Sequence, residues 1–264
     1  MFNKDDNLYE LAKSYLRMFL ERSAEELFGV EDAEWVNQVT EAWMNDASNS
    51  KCRYDEMSQI LGSDYLKKAK ILDMASGCGT FVFYGLLNGY DVYGIDPEDW
   101  KNTLNKMKID AYGYPQEWMG HFIKAVGEYL PFCDESFDIV STYQTLEHVN
   151  DLKRTLSEML RVVKHNGSIF IACPDYRSFF EGHYRIPWFP LMNRQIAKIY
   201  LRFLGKPTKG LDTIKYTTPG KIKRYLGKHK FMIINLHRSP LKFFLNYIVS
   251  FLRREVSIKL LVKR

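Results

Sequence analysis

Apolar positions in residues 5–68 recur with a spacing near 3.6. Leu8, Leu11, Ala12, Tyr15, Leu16, Phe19 and Leu20 share one stripe, which predicts a helix capped by Asp5 or Asp6. A second helix is expected over 32–45, with Trp35, Val36, Val39 and Trp43 on one side, until Ser48-Asn49-Ser50 breaks the pattern. A third, over 54–61, ends at Gly62.

From residue 70 the pattern changes to short apolar runs separated by helical stretches. Strands are expected at 70–74, 90–96, 121–126, 137–141 and 168–173, the last ended by Pro174. Helices are expected at 80–88, 100–108 and 151–164, where Leu152, Leu156, Met159, Leu160 and Val163 keep helical spacing. Residues 176–217, rich in aromatic, proline and basic residues, interrupt the alternation. A helix over 219–226, a strand over 231–237, a helix over 240–254 and a strand over 256–263 give a β-α-β ending. The expected fold is α/β: a doubly wound, mostly parallel seven-stranded sheet with helices on both faces. Its parts are an N-terminal helical extension (1–68), a core (69–175), an insert or lid (176–217) and a C-terminal completion of the sheet (218–264).

Composition narrows the class. With 264 residues, 46% hydrophobic and 26% charged, the chain can bury a full core and is not disordered. No apolar run reaches the roughly 18–20 residues needed to cross a bilayer. The acidic start carries no apolar signal segment, and the four cysteines form no C-x-x-C pair. A cytoplasmic chain with reduced thiols is expected. Charge is split: residues 1–150 hold 13 Lys+Arg against 26 Asp+Glu, and residues 151–264 hold 24 against 6. A basic half suits an anionic partner.

The first strand delivers Asp73 into a turn containing Gly77 and Gly79, and the second strand closes on Asp96. Glycines there let backbone N–H groups approach a ligand at a helix start. An acid closing the next strand sits where doubly wound folds bind a ribose hydroxyl pair. A dinucleotide turn carries a third small residue, and Val82 stands in its place, which argues against NAD or FAD.

The run Ile71-Leu72-Asp73-Met74-Ala75-Ser76-Gly77-Cys78-Gly79-Thr80 resembles the first motif of class I S-adenosylmethionine-dependent methyltransferases. Tyr129-Leu130-Pro131-Phe132 with Ser136-Phe137-Asp138-Ile139-Val140 resembles the approach to and through their fourth strand, and Asn166-Gly167-Ser168-Ile169-Phe170-Ile171 the turn into the fifth. Thr145-Leu146-Glu147-His148-Val149 resembles a run of the small-molecule branch that includes the ubiquinone-pathway O-methyltransferases. The likeness covers about 69–175.

The resemblance implies S-adenosylmethionine as cofactor. Asp73, Met74 and the backbone of Ala75, Ser76, Gly77 and Gly79 would hold its methionine end; Asp96 would bind the ribose hydroxyls and Pro97 would pack near the adenine. Val126 and the backbone of Gly127 and Glu128 would flank the adenine, and Tyr143 and Gln144 would line the methionine moiety. Two positions depart from the family: Ala75 stands where Gly is frequent, and Val126 where an Asp often accepts the adenine amino group.

An oxygen acceptor needs a base, and His148 is the first candidate because imidazole titrates near neutrality. Glu147 is the alternative; Arg53 either meets the cofactor carboxylate or forms an exposed salt bridge. No metal is expected. Asp175, Tyr176, His183 and Tyr184 follow the fifth strand, where substrates approach an open sheet. In the insert, Ile196, Ile199, Tyr200, Phe203 and Leu204 share one helical face and Arg194, Lys198 and Arg202 another, which suits a lid or an interfacial helix touching a membrane. The expected acceptor is a small or lipid-linked molecule with an apolar body and an anionic group. A nucleic-acid methyltransferase is the second reading; the place of its Asn/Asp-Pro-Pro-aromatic or Pro-Cys motif reads Ser141-Thr142-Tyr143-Gln144 here. A non-catalytic module on the same fold is the third, and a nicotinamide oxidoreductase a distant fourth.

Overall fold

In the computed structural model, residues 4–47, 50–226, 232–236 and 257–263 are described. Four helices open the chain: α1 (Asp6–Phe28), α2 (Ala33–Met44), α3 (Ser50–Leu61) and α4 (Ser63–Lys68). Asp5 caps α1 by accepting from the Asn7 and Leu8 amides, and Asp32 caps α2. The buried stripe of α1 is Ala12, Leu16, Leu20 and Ala24; Leu8 and Leu11 are exposed, so that stripe is narrower than the spacing suggests.

The core follows as β1 (Lys70–Met74), α5 (Thr80–Leu87), β2 (Asp91–Ile95), α6 (Asp99–Tyr112), a 3-10 turn (Gln116–His121), β3 (Phe122–Ile123), β4 (Phe137–Tyr143), α7 (Leu152–Val162) and β5 (Val163–Pro174). The insert holds a small hairpin, β6 (Phe180–Glu181) with β7 (Ile186–Pro187), and then α8 (Arg194–Phe203) and α9 (Lys209–Thr213). The described chain ends with α10 (Pro219–Leu226), β8 (Met232–Asn235) and β9 (Ser257–Lys263). The helix expected over 240–254 lies outside the described residues.

The seven strands run in the order β3-β2-β1-β4-β5-β9-β8. The first five pair in parallel, while β9 pairs antiparallel with both β5 and β8. The sheet is buried on both faces, and the strand alternation shows it. Leu72, Val140, Ile169 and Ile171 pack with Leu156, Met159 and Ile222 on one side. Their neighbours Ile71, Ile139 and Phe170 pack with Tyr54, Met57, Leu66 and Phe81 on the other.

Two boundaries differ from the sequence reading. The third strand is only Phe122–Ile123, because β2 offers Gly94 and Ile95 as partners and then ends; Val126 folds back to bridge Tyr129 instead. At the other boundary, α7 stops at Val162 and β5 already begins at Val163. It runs through Asn166, whose φ is 65°, as a bulge rather than a separate turn, and its register against β4 shifts between Phe137 and Ile139.

One buried ion pair ties the N-terminal helices to the core. Lys108 on α6 is fully buried and pairs with Asp46, with its ammonium also 3.3 Å from the Cys78 carbonyl oxygen. Tyr114 donates to Asp46 at 3.0 Å. Burial pushes the Asp46 carboxyl up, and Lys108 opposes the shift. Removing one charge strands the other in the core. Lys108→Met is expected to cost about 3–5 kcal/mol in urea unfolding, with part recovered by adding Asp46→Leu. A loss under about 1 kcal/mol contradicts the pairing.

Candidate active site

The order 3-2-1-4-5 reverses direction between β1 and β4, and the carboxyl ends of the strands on either side form the cleft. Asp73 near the end of β1 lies in register between Gly94 and Ser141. The turn that follows is forced into the left-handed region at Ala75 (φ 60°), Gly77 (φ 56°) and Gly79 (φ 74°). A side chain at Gly79 would strike Asn105 and Phe122 within 3 Å, whereas Gly77 faces open space. The turn thus packs tightly at Gly79 and leaves room for a ligand at Gly77.

Asp96 is buried where β2 ends. It accepts from the Gly77 amide at 3.1 Å, from the Glu98 amide at 3.0 Å and from Lys101 Nζ at 3.2 Å. Burial works to lower the pKa of Lys101, but Asp96 and Glu98 outweigh it and raise it. The acid is therefore clamped to the turn and capped by a lysine.

Arg53 on α3 is not an exposed salt bridge. Its guanidinium is 2.5 Å from Asp73 Oδ1 and 2.7 Å from Ser141 Oγ, lies on the Phe81 ring at 3.9 Å, and has only 16% of its side chain exposed. Burial raises the Asp73 pKa, and Arg53 pulls it down. Tyr143 lies 5.1 Å from the same guanidinium, and both residues line a small cavity with Thr142 and Ala172.

Other predicted residues fall into three groups. Ala75, Ser76, Gly77, Gly79, Asp96, Tyr143 and Gln144 border the cleft. Gln144 is left-handed (φ 52°), and its Oε1 is buried without a hydrogen-bond partner among the described residues. Met74 is core, under Gly127, so only its backbone can face a ligand. Pro97 and Val126 are exposed, while the Glu128 carboxylate accepts from the Asn150 and Asp151 amides and so fixes the start of α7.

Among the four residues after β5, only His183 reaches the cleft. Tyr176 and Tyr184 are buried in the insert's own core with Trp188, Leu201 and Leu211. Burial pushes the Tyr184 phenol up to about 12, and its oxygen accepts from the Leu211 amide. Asp175 is buried and bound by Arg177 through both carboxylate oxygens. These three are corrected from pocket residues to structural ones: aromatic bulk and an adjacent arginine drew them into packing.

His148 does not cap α7; Asp151 does, accepting from the Lys153 and Arg154 amides. His148 Nδ1 lies 3.2 Å from the Thr213 carbonyl oxygen, and its Nε2 is 3.2 Å from His183 Nε2. Desolvation in the cleft, with His183 adding, pushes the His148 pKa down to about 4, although 38% of its side chain is open to solvent. Lys101 also contributes to that shift. Glu147 beside it is buried.

Sequence reasoning missed Lys101, Asn105, Lys108 and Glu181. A lysine on a helix carries no signal of burial. The Glu-x-His spacing of Glu181 and His183 did carry one, since a carboxylate two residues away can orient the ring.

The family described as "Methyltransferase domain" matches residues 72–171. The chain is 31% identical over 139 residues to a demethylmenaquinone methyltransferase of Renibacterium salmoninarum, covering 53% of this chain and 54% of that protein. It is 29% identical over 139 residues to an uncharacterized methyltransferase of Mycolicibacterium vanbaalenii, covering 53% and 52%. The chain thus spans about half the length of the curated relatives it matches. Among solved structures, an S-adenosylmethionine dependent methyltransferase from Mesorhizobium loti aligns with a TM-score of 0.51 at 16% identity, over 74% of this chain and 91% of that one, which shows the shared fold.

Ala75 is strained where glycine is not. Relief of about 1–2 kcal/mol, less about 0.5–1 for the freer unfolded chain, leaves Ala75→Gly stabilising by about 0.5–1 kcal/mol. A raised urea midpoint checks this; a lowered one contradicts the left-handed turn.

Proposed function

Because residues 72–171 are a class I methyltransferase domain, whose cofactor is S-adenosylmethionine, we propose that this chain transfers a methyl group to the oxygen of a small or lipid-linked acceptor. The observation that carries the reading is the open, left-handed turn at Gly77 clamped to Asp96 at the point where the strand order reverses.

The residues fit the cofactor. Gly77 leaves space beside its amide, and Gln144 Oε1 is a buried acceptor without a partner among the described residues. When bound, S-adenosylmethionine supplies a methyl group already activated on a sulfonium. Asp96, now paired with Lys101, would accept from the ribose hydroxyls. Arg53, held by Asp73, would meet the carboxylate of the amino-acid end. Ala75 and Ser76 lend backbone, and Tyr143 closes the side toward the acceptor, positioning reactants and excluding water. With Val126 apolar and exposed, the adenine relies on the backbone near Gly127. The His148 and His183 Nε2 atoms are where the acceptor's hydroxyl proton is handled.

The acceptor class is read from the insert. On α8, Ala197 and Leu201 face inward, while Ile196, Ile199 and Phe203 are exposed, Phe203 by 85%. The apolar face, which suits a lid or an interfacial helix, therefore points outward. Phe189 and Leu191 are exposed just before it, and residues 185–209 hold six Lys+Arg and no Asp or Glu. That character suits an anionic bilayer surface and an acceptor with an apolar body. The name of the Renibacterium relative, a demethylmenaquinone methyltransferase, agrees with an apolar, quinone-like body. No helix of the described residues is long and apolar enough to cross a membrane, so the contact proposed is peripheral.

Methyl-labelled S-adenosylmethionine offered with cell extract is expected to put label into organic-extractable metabolites; label confined to RNA reverses the assignment. In vesicle flotation, Ile199→Ser/Phe203→Ser is expected to weaken binding to anionic vesicles about tenfold or more, at about 0.8 kcal/mol per buried CH2 lost. Unchanged flotation removes α8 from the membrane contact.

A further inference from the structure

Two imidazoles meet in the cleft with their hydrogens fixed. The Nδ1 partner of His148 is a carbonyl oxygen of α9, and that of His183 is Glu181 Oε1 at 2.8 Å. Both partners only accept, so each neutral ring carries its hydrogen on Nδ1 and a lone pair on Nε2. Those two Nε2 atoms are 3.2 Å apart, and neither neutral ring can donate to the other. Glu147 Oε1 lies 3.9 Å from His148 Nε2, and one ligand atom from each of Glu147, His148 and His183 lies within 4.8 Å of the others. Two imidazole lone pairs and a carboxylate thus lie within reach of a single small cation.

We propose that Glu147, His148 and His183 form a binding site for a divalent transition-metal cation of the zinc type. Two imidazoles on one such ion at roughly 2.0–2.1 Å have nitrogens about 2.9–3.4 Å apart, from right-angled to tetrahedral geometry. The 3.2 Å pair meets this without movement, and the Glu147 carboxylate lies 3.9 Å from the nearer nitrogen. Two histidines and one carboxylate leave further positions open for an outside oxygen. The outer contacts also suit a metal: a ligating histidine commonly donates its other N–H to a carboxylate or a backbone carbonyl, as both rings do here. Phe28 of α1 stacks on His183 at 5.3 Å and holds that ring in place.

No metal is expected from the residues because the sequence does not show a further ligand close to Glu147 and His148; His183 is 35 residues from His148 and the insert hairpin brings it there. The site deepens the acceptor-pocket reading, and rests on it for what the cation does: with both Nε2 lone pairs on the ion, the ion would replace them in dealing with the acceptor hydroxyl, by polarising its oxygen and lowering its pKa so that the proton leaves to water. Whether the cation binds does not depend on that reading.

The test is calorimetry of the metal-stripped full chain with Zn2+, and absorption spectroscopy with Co2+ as a visible probe, each beside a separate titration with S-adenosylhomocysteine. The expected result is one ion per chain at micromolar affinity or tighter, with a cobalt band. His183→Gln is expected to weaken it about 100-fold, and Glu181→Gln, which leaves the ligands in place, about tenfold. Circular dichroism checks that each variant is folded. No uptake, or uptake unchanged by both variants, overturns the site; the exposed Cys52 and Cys133 would then account for bound zinc. Zinc held by the histidines in a chain that binds no S-adenosylhomocysteine leaves the metal site standing and removes the methyl-transfer reading.

Discussion

The site depends on a turn that must run left-handed. Between β1 and α5 the backbone turns through Ala75, Gly77 and Gly79, all at positive φ, and only that path brings the Gly77 amide against Asp96. The turn is pinned from two sides. Asp96 grips it from the end of β2, and Lys108 reaches the Cys78 carbonyl from behind while paired with Asp46. A buried lysine and aspartate together are a poor source of stability compared with apolar packing, so their effect is better described as specificity of placement. They fix where the N-terminal helices meet the turn, and Phe19 stacked on Trp100 at 4.8 Å extends that contact along α1 and α6.

A second group of residues is supplied by segments outside the domain match. Arg53 comes from α3, Phe28 from the end of α1, and His183 with Glu181 from the insert hairpin. The matched domain thus contributes the turn, Asp96 and the Glu147-His148 pair, while the extension and insert contribute the groups that face them. On the proposed function, this division would let a shared core set the donor chemistry and unshared segments shape the acceptor side.

The parallel core was legible because its signals are local. Short apolar runs, helical spacing in α7 and the Gly-x-Gly turn all lie within single segments, and Asp73, Gly77 and Asp96 fell where the pattern placed them. What was not legible depends on distant partners. Lys108 reads as a surface lysine until Asp46 is brought beside it. Tyr176 and Tyr184 have the chemistry of pocket residues, but a lobe without a long hydrophobic helix needed their rings as core. On α8 the pattern showed an amphipathic helix but left open whether its apolar face packs as a lid or meets a surface; Ala197 and Leu201 pack inward, and Ile196, Ile199 and Phe203 are exposed. Edge strand β3 was overread because strand length is set by the partner, and β2 ends early.

The central claim is that the Gly77 turn and Asp96 hold a sulfonium nucleoside at the reversal of strand order. A crystal structure with S-adenosylhomocysteine bound tests it most directly. The account predicts the ribose hydroxyls on the Asp96 carboxylate, Lys101 moved aside, and the sulfur directed toward His148 and His183. Density for the ligand elsewhere, with Lys101 still on Asp96, would contradict it.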